Sequence, residues 1–112
     1  RMLNGNTLVM VDAPVVDDLS RALGVGKDKI RCENDANCFA LAEALAGAGR
    51  LHGAKHGKAL SQLTGIGVIL GTGCGGGFIS QGRILRGKRG GGAEIGHIVI
   101  DPAGWPCYCG RR

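Results

Sequence analysis

The sequence predicts an α/β chain, and three features predict it. Short β-branched and apolar runs alternate with helix-forming stretches, glycines gather where the chain must turn, and an apolar content of 44% suits a globular core. Glycine occupies 22 of 112 positions without a Gly-X-Y period, which excludes a collagen-like chain. No apolar run approaches the length that spans a bilayer, and no signal peptide is visible.

The elements follow in order. Thr7 to Val11 reads as a short strand, and Pro14 followed by Val15, Val16, Leu19 and Leu23 has helical spacing that ends at Gly24. Lys29 to Glu33 reads as a further short strand leading into Asn34-Asp35-Ala36-Asn37. Cys38 to Ala46 is rich in alanine and strongly helix-forming, with Asn34 or Asp35 as its cap and Gly47 and Gly49 at its end. Residues 50–64 are polar and basic, and are expected to form an exposed connection. A domain boundary is expected near there. Ile66 to Leu70 is a strand, Gly71 to Gly77 a glycine loop, and Phe78 to Leu85 two short strands joined at Gln81-Gly82. A second glycine run, Gly87 to Gly92, follows; its Gly90-Gly91-Gly92 is expected to loosen the approach to Glu94.

The net charge of +5 comes from clusters at 50–58, at 83–89 and at Arg111-Arg112 rather than from one helical face. With aromatics at 4%, little is available for base stacking, so nucleic acid is disfavoured and solvated loops that attract an anionic ligand are expected. Five cysteines, two of them in a Cys-X-Cys, suit a reduced compartment and a metal better than a disulfide framework, and cytoplasm is the expected location.

Gly71-Thr72-Gly73-Cys74-Gly75-Gly76-Gly77 holds five glycines in seven positions, so its amides are unobstructed and free to adopt positive φ around an anion. Glycines at 71, 73 and 76 formally satisfy the dinucleotide fingerprint, yet that motif needs a helix to open at its last glycine, and a strand is expected here. A P-loop is excluded because no lysine occurs between Lys58 and Lys88. Two readings stay open: a hairpin that holds phosphates, or a tight hairpin with close backbone packing.

Asn34 and Asp35 stand where a strand passes into a helix. A carboxylate there suits a general base facing a cleft, and both residues equally suit a helix cap. In phosphoryl transfer, an aspartate takes the proton of the attacking hydroxyl while backbone amides and a metal ion stabilise the phosphates, and Asp35 with the 71–77 loop would make such a pair. Glu94-Ile95-Gly96-His97 precedes Cys107 and Cys109; His97 and the two cysteines lie within thirteen residues and offer three ligands for tetrahedral zinc. A fourth is expected just beyond Arg112, since the chain begins without methionine, ends in mid-motif and reads as a fragment. Cys32, Cys38 and Cys74 are expected to be small core residues, and His52 and His56 to be solvated.

Taken together, Glu33-Asn34-Asp35-Ala36-Asn37 before an alanine-rich helix, Leu70 to Gly77, Glu94-Ile95-Gly96-His97 and Cys107-Tyr108-Cys109-Gly110-Arg111-Arg112 resemble the ROK family of repressors, open reading frames and kinases in order and spacing. The resemblance covers nearly all of 30–112, and Leu3-Asn4-Gly5 with Asp17-Asp18-Leu19 is similar to the segment that precedes it in bacterial fructokinases and N-acetylglucosamine kinases. It implies an actin-like, ribonuclease-H-like ATPase fold of two α/β domains, with 1–63 ending the first and 64–112 beginning the second.

It further implies Asp35 as catalytic base and Asn34, Asp35, Glu94 and His97 as sugar contacts. Gly71, Thr72, Gly73, Cys74, Gly75, Gly76 and Gly77 would face the phosphates of ATP with Mg2+. His97, Cys107 and Cys109 would hold a structural Zn2+, with a cysteine two residues beyond Arg112 as the fourth ligand. The implied activity is ATP-dependent phosphorylation of a hexose or N-acetylhexosamine by a homodimer away from any membrane. The alternatives are a ROK repressor, which would add nucleic acid as a partner, and a zinc-stabilised binding module without catalysis.

Overall fold

A computed structural model describes residues 8–88, 90–107 and 109–112. Contacts divide the chain into two compact units, Arg1–Cys32 and Glu33–Arg112. Residues on both sides of the expected 63/64 boundary share the second unit. No helix of the described residues is long and apolar enough to cross a membrane.

In the first unit, the described part of the expected strand at 7–11 is instead a 3-10 turn, Leu8–Met10; Thr7 lies outside the described residues, as do Leu3-Asn4-Gly5. Helix α1 spans Val15–Leu23 and stops at Gly24, whose φ of 63° is left-handed backbone that glycine adopts without strain. Asp17 and Asp18 sit in its first turn and Arg21 in its last, each favoured by the helix dipole. An ion pair with Lys27 holds the partly exposed Asp17 carboxyl below its ordinary range. Lys27–Lys29 forms a 3-10 turn, and Arg31 to Glu33 has no strand partner among the described residues, so the strand expected at 29–33 is absent. Its β-branched content, Ile30 alone, was too small to support a ladder.

The second unit is built on a hairpin and one helix. Helix α2 spans Asp35–Ala46, β1 is Gly65–Leu70, β2 is Cys74–Ser80 and β3 is Arg83–Ile84. The strands form an antiparallel sheet in the order β1-β2-β3, with Gly67 opposite Gly77, Leu70 opposite Cys74 and Ile79 opposite Ile84. Gln81 and Gly82, at φ 50° and 72°, make the β2–β3 turn with the left-handed pair that a two-residue hairpin favours.

The glycine loop is shorter than the glycine run. Cys74 to Gly77 are paired strand, which leaves only Gly71 to Gly73 as the turn. None of the five glycines from 71 to 77 is left-handed, so the freedom to adopt positive φ is not used in this run. What Gly77 supplies is room. A Cβ at Gly77 would overlap the Ala36 carbonyl, and one at Gly67 would lie 2.8 Å from the Ala40 Cα. The buried Ala36 and Ala40, one helical turn apart, therefore lay α2 directly on the backbone of β1 and β2.

Residues 48–56 correct the expected open connection: Ala48–His56 is a helix, α3, ending at the left-handed Gly57. Glycines 49 and 53 and His52 and His56 weakened its helical signal. The Glu43 side chain supplies what the local sequence lacks, since its Oε2 accepts the Ala48 N–H at 3.0 Å at the positive end of α3. Gly49 then brings α3 against the Ala44 backbone.

Among the described residues of the second glycine run, Gly90 and Gly92 are tied down rather than loose. Asn37, 2% exposed, donates from Nδ2 to Glu33 Oε1 at 3.0 Å and to the Gly90 carbonyl at 3.2 Å. Glu33 Oε1 also accepts the Asn34 N–H at 3.1 Å, and Oε2 pairs with Arg86 Nε. A Cβ at Gly92 would overlap the Leu85 carbonyl, so the run doubles back closely on its own start. Hydrogen bonds from Arg86 first, then from Asn37, hold the Glu33 carboxyl below the usual range.

Two outcomes are expected in the full-length protein. Chemical denaturation should find Gly77→Ala destabilised by about 1–3 kcal/mol through overpacking, whereas Gly73→Ala, at a position with open space and ordinary φ, should change little; equal effects would contradict this packing. Because the folded value of Glu33 is depressed, its stabilisation is complete above its ordinary value of 4.5 and is lost as pH falls through the lowered one. Glu33→Gln should therefore reduce stability at neutral pH and flatten its decline with acid, as urea midpoints measured from pH 7 down to 3 will record.

Candidate active site and metal centre

Of the two residues that suit a helix cap, Asn34 takes that place. Asn34, extended at φ −62° and ψ 138°, is the N-cap of α2: its Oδ1 accepts the Asn37 N–H at 3.1 Å. Asp35 begins the helix and is exposed, with Oδ1 accepting the N–H of Ala36 at 3.0 Å. A carboxylate there is aimed by a rigid element rather than by a loop.

Antiparallel pairing brings the 71–73 turn to the same end of the hairpin. Gly71 donates its N–H to the Gly73 carbonyl at 2.9 Å, and a Cβ at either glycine would meet open space, so the backbone of this turn is accessible. Just inside it, a Cβ at Gly75 would touch Ala36 Cβ at 3.6 Å and Glu94 Oε1 at 3.8 Å. Glu94 and the first turn of α2 thus flank one glycine.

Glu94 is exposed and leads into a 3-10 turn, Ile95–His97. That turn is seated on β2 by absent side chains: a Cβ at Gly96 would overlap the Cys74 carbonyl, and Ile95 occupies the space over Gly76 at 2.9 Å. Asp35, the 71–73 turn, Glu94 and His97 therefore gather at one end of the β1–β2 hairpin, while Gly76 and Gly77 serve packing.

His97 is half-buried, and its Nδ1 lies 3.7 Å from Cys107 Sγ. The ligand atoms of His97, Cys107 and Cys109 all lie within 4.8 Å of one another. Around tetrahedral zinc, bonds of about 2.3 Å to sulfur and about 2.0 Å to nitrogen set ligand atoms roughly 3.5–3.8 Å apart, so this donor set fits. The turn that presents the thiols is closed by Gly110 N–H to the Cys107 carbonyl at 3.0 Å, with Gly110 left-handed at φ 86°. Backbone hydrogen bonding at Arg111, and then Cys107, hold the Cys109 thiol below its ordinary value. Tyr108, within the same motif, lies outside the described residues.

Cys32, Cys38 and Cys74 are exposed, contrary to the core role expected. Cys38 lies between Ala36 and Ala40 in sequence but turns away from their sheet-facing side, and Cys74 opens β2 on the face opposite α2. His52 and His56 are exposed as expected, with ring centroids 4.4 Å apart on α3. An open pocket of about 230 Å³ near Arg50, Lys58 and Leu63 adjoins the far end of α2 from Asp35. Sequence reasoning assigned no role to Glu33 or Asn37; their four-residue spacing across the helix start was the available signal.

Residues 2–112 match the ROK family. Over 101 residues the chain is 44% identical to a glucokinase of Thermotoga maritima, covering 90% of this chain and 28% of that protein. It is 36% identical over 118 residues to an N-acetyl-D-glucosamine kinase of Haemophilus influenzae, covering 96% of this chain and 34% of the relative. Among solved structures, the ROK hexokinase from Thermus thermophilus superposes with a TM-score of 0.71 at 36% identity, over 91% of this chain and 31% of that one. This chain therefore spans about a third of the length of its relatives, its fold is a part of the actin-like ATPase fold, and it belongs to the ROK family.

Proposed function

We propose that the full-length protein transfers the γ-phosphoryl group of ATP to a hydroxyl of a hexose or N-acetylhexosamine, with Asp35 as general base. The observation that carries this reading is the gathering of Asp35, the open 71–73 turn, Glu94 and His97 at one end of the hairpin. The names of the relatives, glucokinase and N-acetyl-D-glucosamine kinase, support the substrate class.

On this reading Asn34, Glu94 and His97 hold the sugar so that one hydroxyl faces the Asp35 carboxylate. That carboxylate takes the hydroxyl proton as the oxygen attacks phosphorus. Amides of the turn, with the rest of the stretch Gly71 to Gly77 as its frame, border the phosphates; Mg2+ bound with ATP supplies neutralisation of phosphate charge. The domain division near residue 63, homodimerisation and a cytoplasmic location belong to the same proposal. A ROK repressor would share the sugar contacts but has no use for proton abstraction, which the exposed Asp35 at a helix start suits.

Zn2+ held by His97, Cys107, Cys109 and a fourth ligand supplies a structural crosslink. His97 would then carry a constraint from the metal knuckle to the sugar contacts, so metal occupancy and sugar affinity are coupled.

Asp35→Asn in the full-length protein should lower kcat about 10²- to 10⁴-fold with sugar affinity nearly kept. Coupled-enzyme kinetics with ATP and a hexose panel, alongside calorimetry of sugar binding, test this; near-normal turnover would remove Asp35 as base. Purified full-length protein should carry zinc at about one equivalent per chain, and Cys107→Ser should lose it and weaken sugar binding. Metal analysis that finds the same zinc content in both proteins would contradict the ligand set.

A further inference from the structure

We propose that Glu33 and Asn37 act as a positioning brace that sets Glu94 against the first turn of α2, a role that rests on the sugar-kinase reading. Burial, hydrogen bonding and backbone conformation carry it. Asn37 is the most deeply buried polar side chain among the described residues, and it spends both N–H groups of its amide on two separate pieces of chain, Glu33 and the Gly90 carbonyl. Gly90 is left-handed at φ 85°, so its carbonyl is aimed by a backbone conformation that other residues adopt poorly.

The segment from Gly90 to His97 is held at two ends. At the far end Gly96 and Ile95 are seated on Cys74 and Gly76. At the near end the Asn37 bond holds Gly90, and close backbone packing seats Gly92 against Leu85 to Gly87, after which Glu94 donates its N–H to the Gly91 carbonyl at 3.4 Å. Glu33 completes the device. One oxygen fixes the Asn37 amide and the Asn34 N–H, and the other takes Arg86, four residues before Gly90.

The consequence is mechanical. Asp35 stands between Glu33 and Asn37 in the chain, so the groups that orient the helix start also orient the loop that delivers Glu94. Loss of the brace should free the 90–94 side of the site while the hairpin, fixed by its own ladder, keeps its place. Sugar contacts made by Glu94 would suffer, and phosphate contacts of the 71–73 turn would not.

The experiment uses the full-length protein as wild type, Asn37→Ala, Asn37→Ser and Glu33→Gln. Hydrogen–deuterium exchange followed by mass spectrometry should show peptides covering 90–98 exchanging at least tenfold faster in Asn37→Ala, with those covering 65–70 unchanged. Steady-state kinetics should show KM for the sugar raised tenfold or more and KM for ATP within twofold. Glu33→Gln, which keeps an acceptor for Asn37 but loses the charge toward Arg86, should give a smaller shift in the same direction. Should Asn37→Ala fail to fold, Asn37→Ser and Glu33→Gln decide by the same readouts.

Unchanged exchange at 90–98 in the folded variants would overturn the brace, and so would a uniform loss of activity that tracks only the folded fraction. If the wild-type protein neither binds nor phosphorylates any sugar tested, the kinase reading fails while the exchange result still decides whether the brace exists.

Discussion

The site depends on a contact made by the absence of side chains. Ala36 and Ala40 face Gly67 and Gly77 across the boundary between α2 and the sheet, and at Gly77 even one methyl group would overlap the helix carbonyl of Ala36. Such a boundary brings helix and strand backbones closer than ordinary side chains permit and fixes the helix along its own axis, because only the glycine positions admit it. The first turn of α2 is thereby set beside Gly75, at the end of the hairpin where the 71–73 turn emerges. The same device recurs on the opposite face, where Gly76 and Gly96 let the Ile95–His97 turn settle on β2.

Polar interactions refine what packing places. Glu43 caps α3, Asn34 caps α2, and the pair of Glu33 and Asn37 ties the second glycine run to the helix start. A buried amide with its donors satisfied costs little and tolerates few other arrangements, so it confers specificity as well as stability. On the face away from α2, β1 is less covered than β2. Ile66, Val68 and Leu70 are substantially exposed there, consistent with a chain that spans about a third of its relatives' length.

Much of this was legible in the residues. Alanine enrichment with an Asn-Asp start gave α2, the apolar run gave β1, and Gln81-Gly82 gave the β2–β3 turn. The glycine run was legible as a hairpin, but the division of labour within it was not: whether a glycine is present for an anion or for a neighbouring helix depends on what lies across from it. Helix α3 escaped because its start is stabilised by Glu43, a residue of the preceding helix, and its own composition argues for a coil. The brace escaped for a related reason. Half of its partners, Arg86 and the Gly90 carbonyl, lie more than fifty residues away, and one of them is backbone, which carries no sequence signal. The His97, Cys107 and Cys109 cluster was legible from donor type and spacing, and its ligand atoms do come together.

The central claim is that the seating of α2 on the glycine face places the Asp35 carboxylate. Gly67 tests it, because a Cβ there meets the helix at Ala40 and Phe39 rather than the first turn that carries Asp35. The decisive measurement is kcat of Gly67→Ala in the full-length protein, taken at a temperature where the variant is folded and with saturating sugar and ATP. The account predicts a fall of about tenfold or more as the helix is pushed off its seat. An unchanged kcat in a folded variant would contradict it.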